Sequence, residues 1–218
     1  MIAYGSSAIG AIDYASDNGS PFVAAAAWGS GRVVAVPDHQ ALLAPALSGA
    51  SATLARNAVA WAAGAATPDA SGSSWKVVAL DADIVTWAAT SYDASSVTKG
   101  SLRAGLDGAD VFIASWLDTE LTDDDAEAIA DFVAAGGGLL IDDYGKGWTW
   151  WWGGLDKCLG NRVLREAGIG FTDQWPKDFS GNTPAHVMHM GTDVKAATAQ
   201  YMSIDVSLRC VVVGPSGQ

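Results

Sequence analysis

The chain is poor in several things, and each shortage excludes something. It has two cysteines, Cys158 and Cys210. They allow one bridge at most, too few to diagnose an oxidising compartment, and buried free thiols are the plainer expectation. Charged residues make up only 17% of the 218 positions, and the basic ones number 12 against 24 acidic. The net charge of −12 and pI near 4.3 repel a phosphate backbone, so nucleic acid is not an expected partner. Anionic membrane surfaces are disfavoured for the same reason. No apolar run reaches the length of a spanning helix, so membrane insertion is not expected. The first residues, "MIAYGSSAIGAIDYASDNG", lack both a basic region and a continuous apolar stretch, so no signal peptide is visible. That leaves a cytoplasmic chain or a piece of a larger precursor. Internal repeats and low-complexity tracts are absent.

Catalytic motifs are equally scarce. A nucleophile elbow needs Ser or Cys between glycines in a strand-to-helix turn, and the corresponding turn, "LLIDDYGKG", holds neither. There is no HExxH; "HVMHM" spaces His186 and His189 three apart without a glutamate. "WGSGR" has too few glycines and no lysine for a phosphate loop, and "VAAGGGLL" reverses the strand-glycine-helix order of a dinucleotide site. Cys158, at the edge of a helix, and Cys210, inside an apolar run, read as structural. "TDDD" is explained as a helix start and needs no calcium. No catalytic residue, metal site or cofactor is therefore assigned.

What is present is a core-forming chain, 50% hydrophobic and long enough for one α/β domain with an appendage. "SPFVAAAAWGSGRVVAVPDHQ" reads as a hairpin around Gly-Ser-Gly. "SGASATLARNAVAWAAGA" carries Leu54, Ala58, Val59, Trp61 and Ala62 at helical spacing and stops at Gly64. Residues 66–74 form a Pro/Ser/Gly linker. Buried strands follow at Trp75–Asp81, Gly108–Trp116 and Gly137–Asp143. Between the last two lies a helix capped by Thr122, with Asp123–Asp125 on its positive end, an inner stripe of Ile129, Phe132 and Val133, and a stop at Gly136. A further helix is expected in "KCLGNRVLREAGIGF", closed by Gly168. Strands alternating with helices imply an open, mostly parallel sheet covered on both faces. Residues 1–172 are expected to form this domain and 173–218 a C-terminal extension, the start of a following segment, in which "DVKAATAQYM" reads as a short helix and "SLRCVVVG" as an edge strand.

In such sheets ligands bind beyond the carboxyl ends of the strands. Asp38 and His39, Asp81 and Asp83, Ser115, and Asp142, Asp143 and Tyr144 all fall at those ends. They predict a cleft of carboxylates with one histidine, which could support acid-base hydrolysis. Any single Asp after a strand is equally good turn chemistry or a helix cap. Next to this set lies "GKGWTWWWGG", with four of the ten tryptophans in five positions. Trp148, Trp150, Trp151 and Trp152 are candidate stacking residues for a sugar. Equally, they can fold as core, with at least two buried; an extended segment would put 148, 150 and 152 on one side.

The order of these pieces carries a resemblance. "GSGRVVAV", "DHQALL", "NAVAW", "GGGLLI", the tryptophan turn and "GNRVLREAGIGFT" follow one another between Pro21 and Thr172. The series resembles the N-terminal region of the TRP-channel-associated factors, and the matching region of bacterial enhancin-like metallopeptidases that attack mucin-type glycoproteins. The resemblance implies a class I glutamine-amidotransferase-like fold, flavodoxin-like in outline, without the amidotransferase triad. Asp142, Asp143 and Tyr144 then occupy the nucleophile turn. It further implies an accessory or recognition domain of a larger, extracellular or cell-surface protein. Its expected partners are a glycan or glycoprotein, or its own downstream metallopeptidase domain.

Overall fold

Gly29 and Ser30 turn the chain between strands β3 (Pro21–Trp28) and β4 (Gly31–Val36), with Trp28 opposite Gly31. Gly29 has φ +60°, and a Cβ there would stand 2.6 Å from the Ala134 carbonyl oxygen. Only glycine permits both the left-handed backbone and that approach. The computed structural model describes residues 1–3, 7–13, 21–37, 42, 49–65, 74–115 and 121–172. Asp38, His39, nearly all of the linker, His186, His189, Cys210 and the tail from 173 lie outside the described residues.

The remaining strands are β1 (Ile2–Ala3), β2 (Ala8–Asp13), β5 (Lys76–Ala79), β6 (Asp93–Ser96), β7 (Val111–Ala114), β8 (Gly138–Asp142) and β9 (Ile169–Gly170). Seven of the nine form one sheet in the order β2-β3-β4-β8-β7-β5-β6, and β1 pairs with β9 apart from it. The run β4-β8-β7-β5-β6 is parallel, and β3 and β2 join antiparallel at one edge. The chain steps from β5 outward to β6, then back across to β7 and β8. That is the flavodoxin-like order, except that its last position is filled by β4, which comes early in the chain.

The pleat sorts the strand side chains into two cores. Val34, Val77, Val111, Ile113 and Leu140 meet α1 (Gly49–Ala62) and α2 (Ala82–Ala88) on one face. Val33, Val78, Phe112, Leu139 and Ile141 meet α4 (Asp123–Ala134) and α6 (Leu159–Leu164) on the other, with Leu102 of α3 (Leu102–Gly105). The α/β sandwich expected from the sequence is thus observed.

Helix α4 starts as its sequence dictates. Thr122 Oγ1 accepts from the Asp125 amide at 3.1 Å, and Asp125 returns the contact to the Thr122 amide at 3.2 Å. Asp125 is buried and also receives the amides of Gly100 at 2.8 Å and Leu102 at 3.3 Å, which ties α3 to α4. The stretch from Asp81 to Gly108, between two strands expected from the sequence, holds α2, β6 and α3. β6 reads "DASS" and is an exposed edge strand, so it carries no apolar signal.

Candidate functional site at the carboxyl edge of the sheet

Strand β8 is followed by a second acid, and the pleat sends Asp142 and Asp143 to opposite faces. Leu140 belongs to the α1–α2 core and Ile141 to the α4–α6 core, and the next two residues continue that alternation. Asp142 is fully buried. Its Oδ2 accepts from Ser115 Oγ and from the Leu42 amide, both at 3.1 Å. Asp143, also buried, turns the other way. Its Oδ1 accepts from the Tyr144 amide at 2.7 Å and from Trp148 Nε1 at 2.8 Å. Its Oδ2 accepts from the Gly160 amide at 3.1 Å and from Cys158 Sγ at 3.2 Å. The two carboxylates therefore do not line one cleft, as their adjacency suggested. Asp81 is a helix cap, accepting from the amides of Asp83 and Ile84 at the start of α2. Among the described strand-end candidates, Ser115 joins Asp142.

Asp143 anchors the segments around it. Burial pushes its carboxyl up to about 6, against the pull of its four donors. Burial, and then the neighbouring Asp143, push the Cys158 thiol far above its ordinary range, so it stays protonated. Cys158 is a free, buried thiol, as the sequence suggested. Gly160 is confined by the same carboxylate: a Cβ there would stand 2.6 Å from Asp143 Oδ2 and 2.8 Å from the Phe171 ring.

The tryptophan stretch is a helix, not an extended turn. α5 spans Gly145–Trp151 although it contains two glycines and a threonine, has no side-chain cap and no acid in its first turn. Intrinsic propensity argues against it. Tertiary anchoring decides the matter, through the Trp148 indole on Asp143 and the close fit of Gly145 against the Thr172 backbone. The helix ends at Gly153 (φ +89°) and Gly154 (φ +136°), whose amide returns to the Trp148 carbonyl at 2.9 Å.

Helical geometry replaces the expected side-to-side alternation. Trp148 and Trp152, four apart, face inward with ring centroids 5.1 Å apart. Trp148 is only 1% exposed, so it presents no face to a ligand; Trp152 is half-buried. Burial of at least two tryptophans thus reduces to one fully buried and one half-buried. Trp150 and Trp151 point outward, each 59% exposed, the two large apolar side chains most open to solvent among the described residues. Tyr144 packs on Trp151 with centroids 6.0 Å apart. Sequence reasoning missed Cys158 and Gly160 as partners of Asp143. Strand alternation alone, applied one residue further, would have separated Asp142 from Asp143.

No group of three His, Cys, Asp or Glu among the described residues could hold a metal ion, and no helix there is long and apolar enough to cross a membrane.

Comparison with known proteins places this geometry. The family described as "TRPM8, N-terminal domain" matches residues 9–186. A TRPM8 channel-associated factor homolog from Xenopus laevis is 27% identical over 166 residues, covering 73% of this chain and 16% of that protein. The structure of IMPa from Pseudomonas aeruginosa in complex with an O-glycopeptide matches with TM-score 0.57 at 14% identity, over 90% of this chain and 23% of that one. The IMPa metallopeptidase from the same organism matches at 0.55 and 13% identity, with the same coverage. These structures share the fold. The chain spans less than a quarter of the length of the relatives it matches.

Proposed function

Because the chain belongs to the TRPM8, N-terminal domain family, we propose that it is a non-catalytic recognition module of a larger protein, binding glycan or glycoprotein through Trp150, Trp151 and the half-buried Trp152. The observation that carries this reading is the 59% exposure of both Trp150 and Trp151 on a short helix at the carboxyl edge of the sheet. Leaving two adjacent indoles in water has a hydrophobic cost that a partner would recover. Tryptophan suits sugars, giving a large rigid face and a donor N–H at low entropic cost. A matched structure, IMPa, was solved with an O-glycopeptide, which fits the same ligand class.

The layout is read as class I glutamine-amidotransferase-like. In that reading the turn after β8 is where an active enzyme keeps its nucleophile, and here it carries Asp142, Asp143 and Tyr144. In the same reading the parent protein works outside the cell or at its surface, with residues 1–172 as the recognition domain and 173–218 as a C-terminal extension. No observation among the described residues favours a hydrolase. Asp142 and Asp143 are sealed from solvent and hydrogen-bonded on opposite faces of the sheet, and Asp38 and His39 lie outside the described residues.

The test is a titration of the chain with a mucin-type O-glycopeptide, following tryptophan fluorescence. Saturable quenching or a blue shift is expected, and lost in Trp151→Ala. An unchanged spectrum at millimolar ligand would sink the glycan reading and leave the patch as a docking face for the protein's own catalytic domain.

A further inference from the structure

The exposed rings do not form a flat platform. Trp150 and Trp151 have centroids 6.2 Å apart and planes at 80°, and Trp151 meets Trp152 at 5.7 Å and 80°. Gly147 fixes this corner from below. A Cβ there would stand 2.6 Å from Tyr144 Cδ1 and 3.0 Å from the six-membered ring of Trp151, so only glycine lets both rings settle over the helix. Trp151 is thus braced by Trp150, Trp152 and Tyr144, in orientations set by packing.

A linear polysaccharide lays successive sugar rings on successive near-coplanar aromatic faces. A right-angled pair gives one face to one pyranose and meets that sugar's edge with the second ring. Beyond Trp152, the Gly153–Gly154 loop is overlaid by two exposed polar side chains. A Cβ on Gly153 would stand 3.0 Å from Lys157 Nζ, and one on Gly154 2.5 Å from Asp156 Oδ1. The Lys157 amide closes the turn on the Gly154 carbonyl at 3.2 Å, and the Gly154 amide is bound to the Trp148 carbonyl at 2.9 Å, so this short turn is held against the end of α5. A carboxylate that only accepts and an ammonium that only donates, both on the turn that follows Trp152, complement the neighbouring hydroxyls of a sugar.

We infer that Trp150, Trp151, Asp156 and Lys157 form one site for a single terminal pyranose of a short glycan, and not for the interior of a linear polysaccharide. This rests on the glycan reading above and narrows it to a ligand class.

Calorimetric titration of the full chain tests it. The probes are the methyl glycosides of glucose, galactose and N-acetylgalactosamine, then cellobiose and cellohexaose, with an O-glycopeptide as control. At least one methyl glycoside is expected to bind, and cellohexaose to bind no more than about twofold tighter than cellobiose. A coplanar platform would gain about fivefold or more with each added stacked sugar. Asp156→Ala and Lys157→Ala should each weaken binding about fivefold, the worth of one lost hydrogen bond, with unchanged melting temperature because both side chains are exposed. A steep gain with chain length, or full affinity in both variants, overturns this inference while leaving glycan binding intact. So does binding of the O-glycopeptide with no response to any free sugar. Silence towards every probe, the O-glycopeptide included, overturns the glycan reading itself.

Discussion

One short helix puts the same side chain to opposite uses. On its inner side Trp148 is 1% exposed, packs against Trp152 and donates its indole N–H to Asp143. On its outer side Trp150 and Trp151 stand 59% exposed, with Trp151 set against the rings of Trp150, Trp152 and Tyr144. The difference shows that residue type does not decide between core and surface here. A single buried carboxylate does, by fixing which indole enters the core and thereby turning the next two outward.

Breaking the inner side should cost most. Trp148→Ala removes a large buried ring and leaves Asp143 Oδ1 short of a donor, so a loss of about 3–5 kcal/mol is expected in urea unfolding. Asp143→Ala strands the Trp148 indole and the Gly160 amide in the interior and should cost about 3 kcal/mol. Gly160→Ala drives a methyl group against the same carboxylate and the Phe171 ring, at about 1–3 kcal/mol. Breaking the outer side should cost least. Trp150→Ala and Trp151→Ala are each expected to change stability by less than about 1 kcal/mol, since they give up aromatic edge contacts but no burial in the core.

Acid sharpens the contrast further, because two buried aspartates respond with opposite sign. Burial holds the Asp143 carboxyl up at about 6, above the ordinary 3.8. Folding then favours its protonated form. Its contribution to stability is fully present below the unfolded value and is lost as pH rises through about 6. Burial also acts on Asp125, but the amides of Gly100, Thr122 and Leu102 and the Thr122 hydroxyl outweigh it and hold that carboxyl below its ordinary range. Its contribution is present above the unfolded value and is lost as pH falls through the folded one. Unfolding followed between pH 4 and 7 should therefore show an Asp143→Asn variant missing a fall in stability that the parent chain has. Asp125→Asn should instead lose stability at neutral pH and leave that fall in place.

These two aspartates also show what a sequence can disclose. Asp125 lies in the local pattern Thr-Asp-Asp-Asp ahead of an amphipathic run, so its place in a helix start is legible from neighbours three residues away. Asp143 depends on Cys158 and Gly160, fifteen and seventeen residues later and in another element, and no local pattern encodes that meeting. The sheet was legible because β7 and β8 are short runs of apolar residues bounded by turns and buried on both faces. The edge strand β6 and the two-residue strands β1 and β9 were not, having too few apolar residues to set a period. Helix α5 was misread because its glycines and aromatics disfavour the very conformation that tertiary contacts impose.

The most direct measurement pairs binding with stability in one double variant, Trp150→Ala/Trp151→Ala, titrated with a mucin-type O-glycopeptide beside the unaltered chain. The unaltered chain is expected to bind and the double variant not to, at a melting temperature within a few degrees of the parent. Undiminished binding by a folded double variant would contradict it.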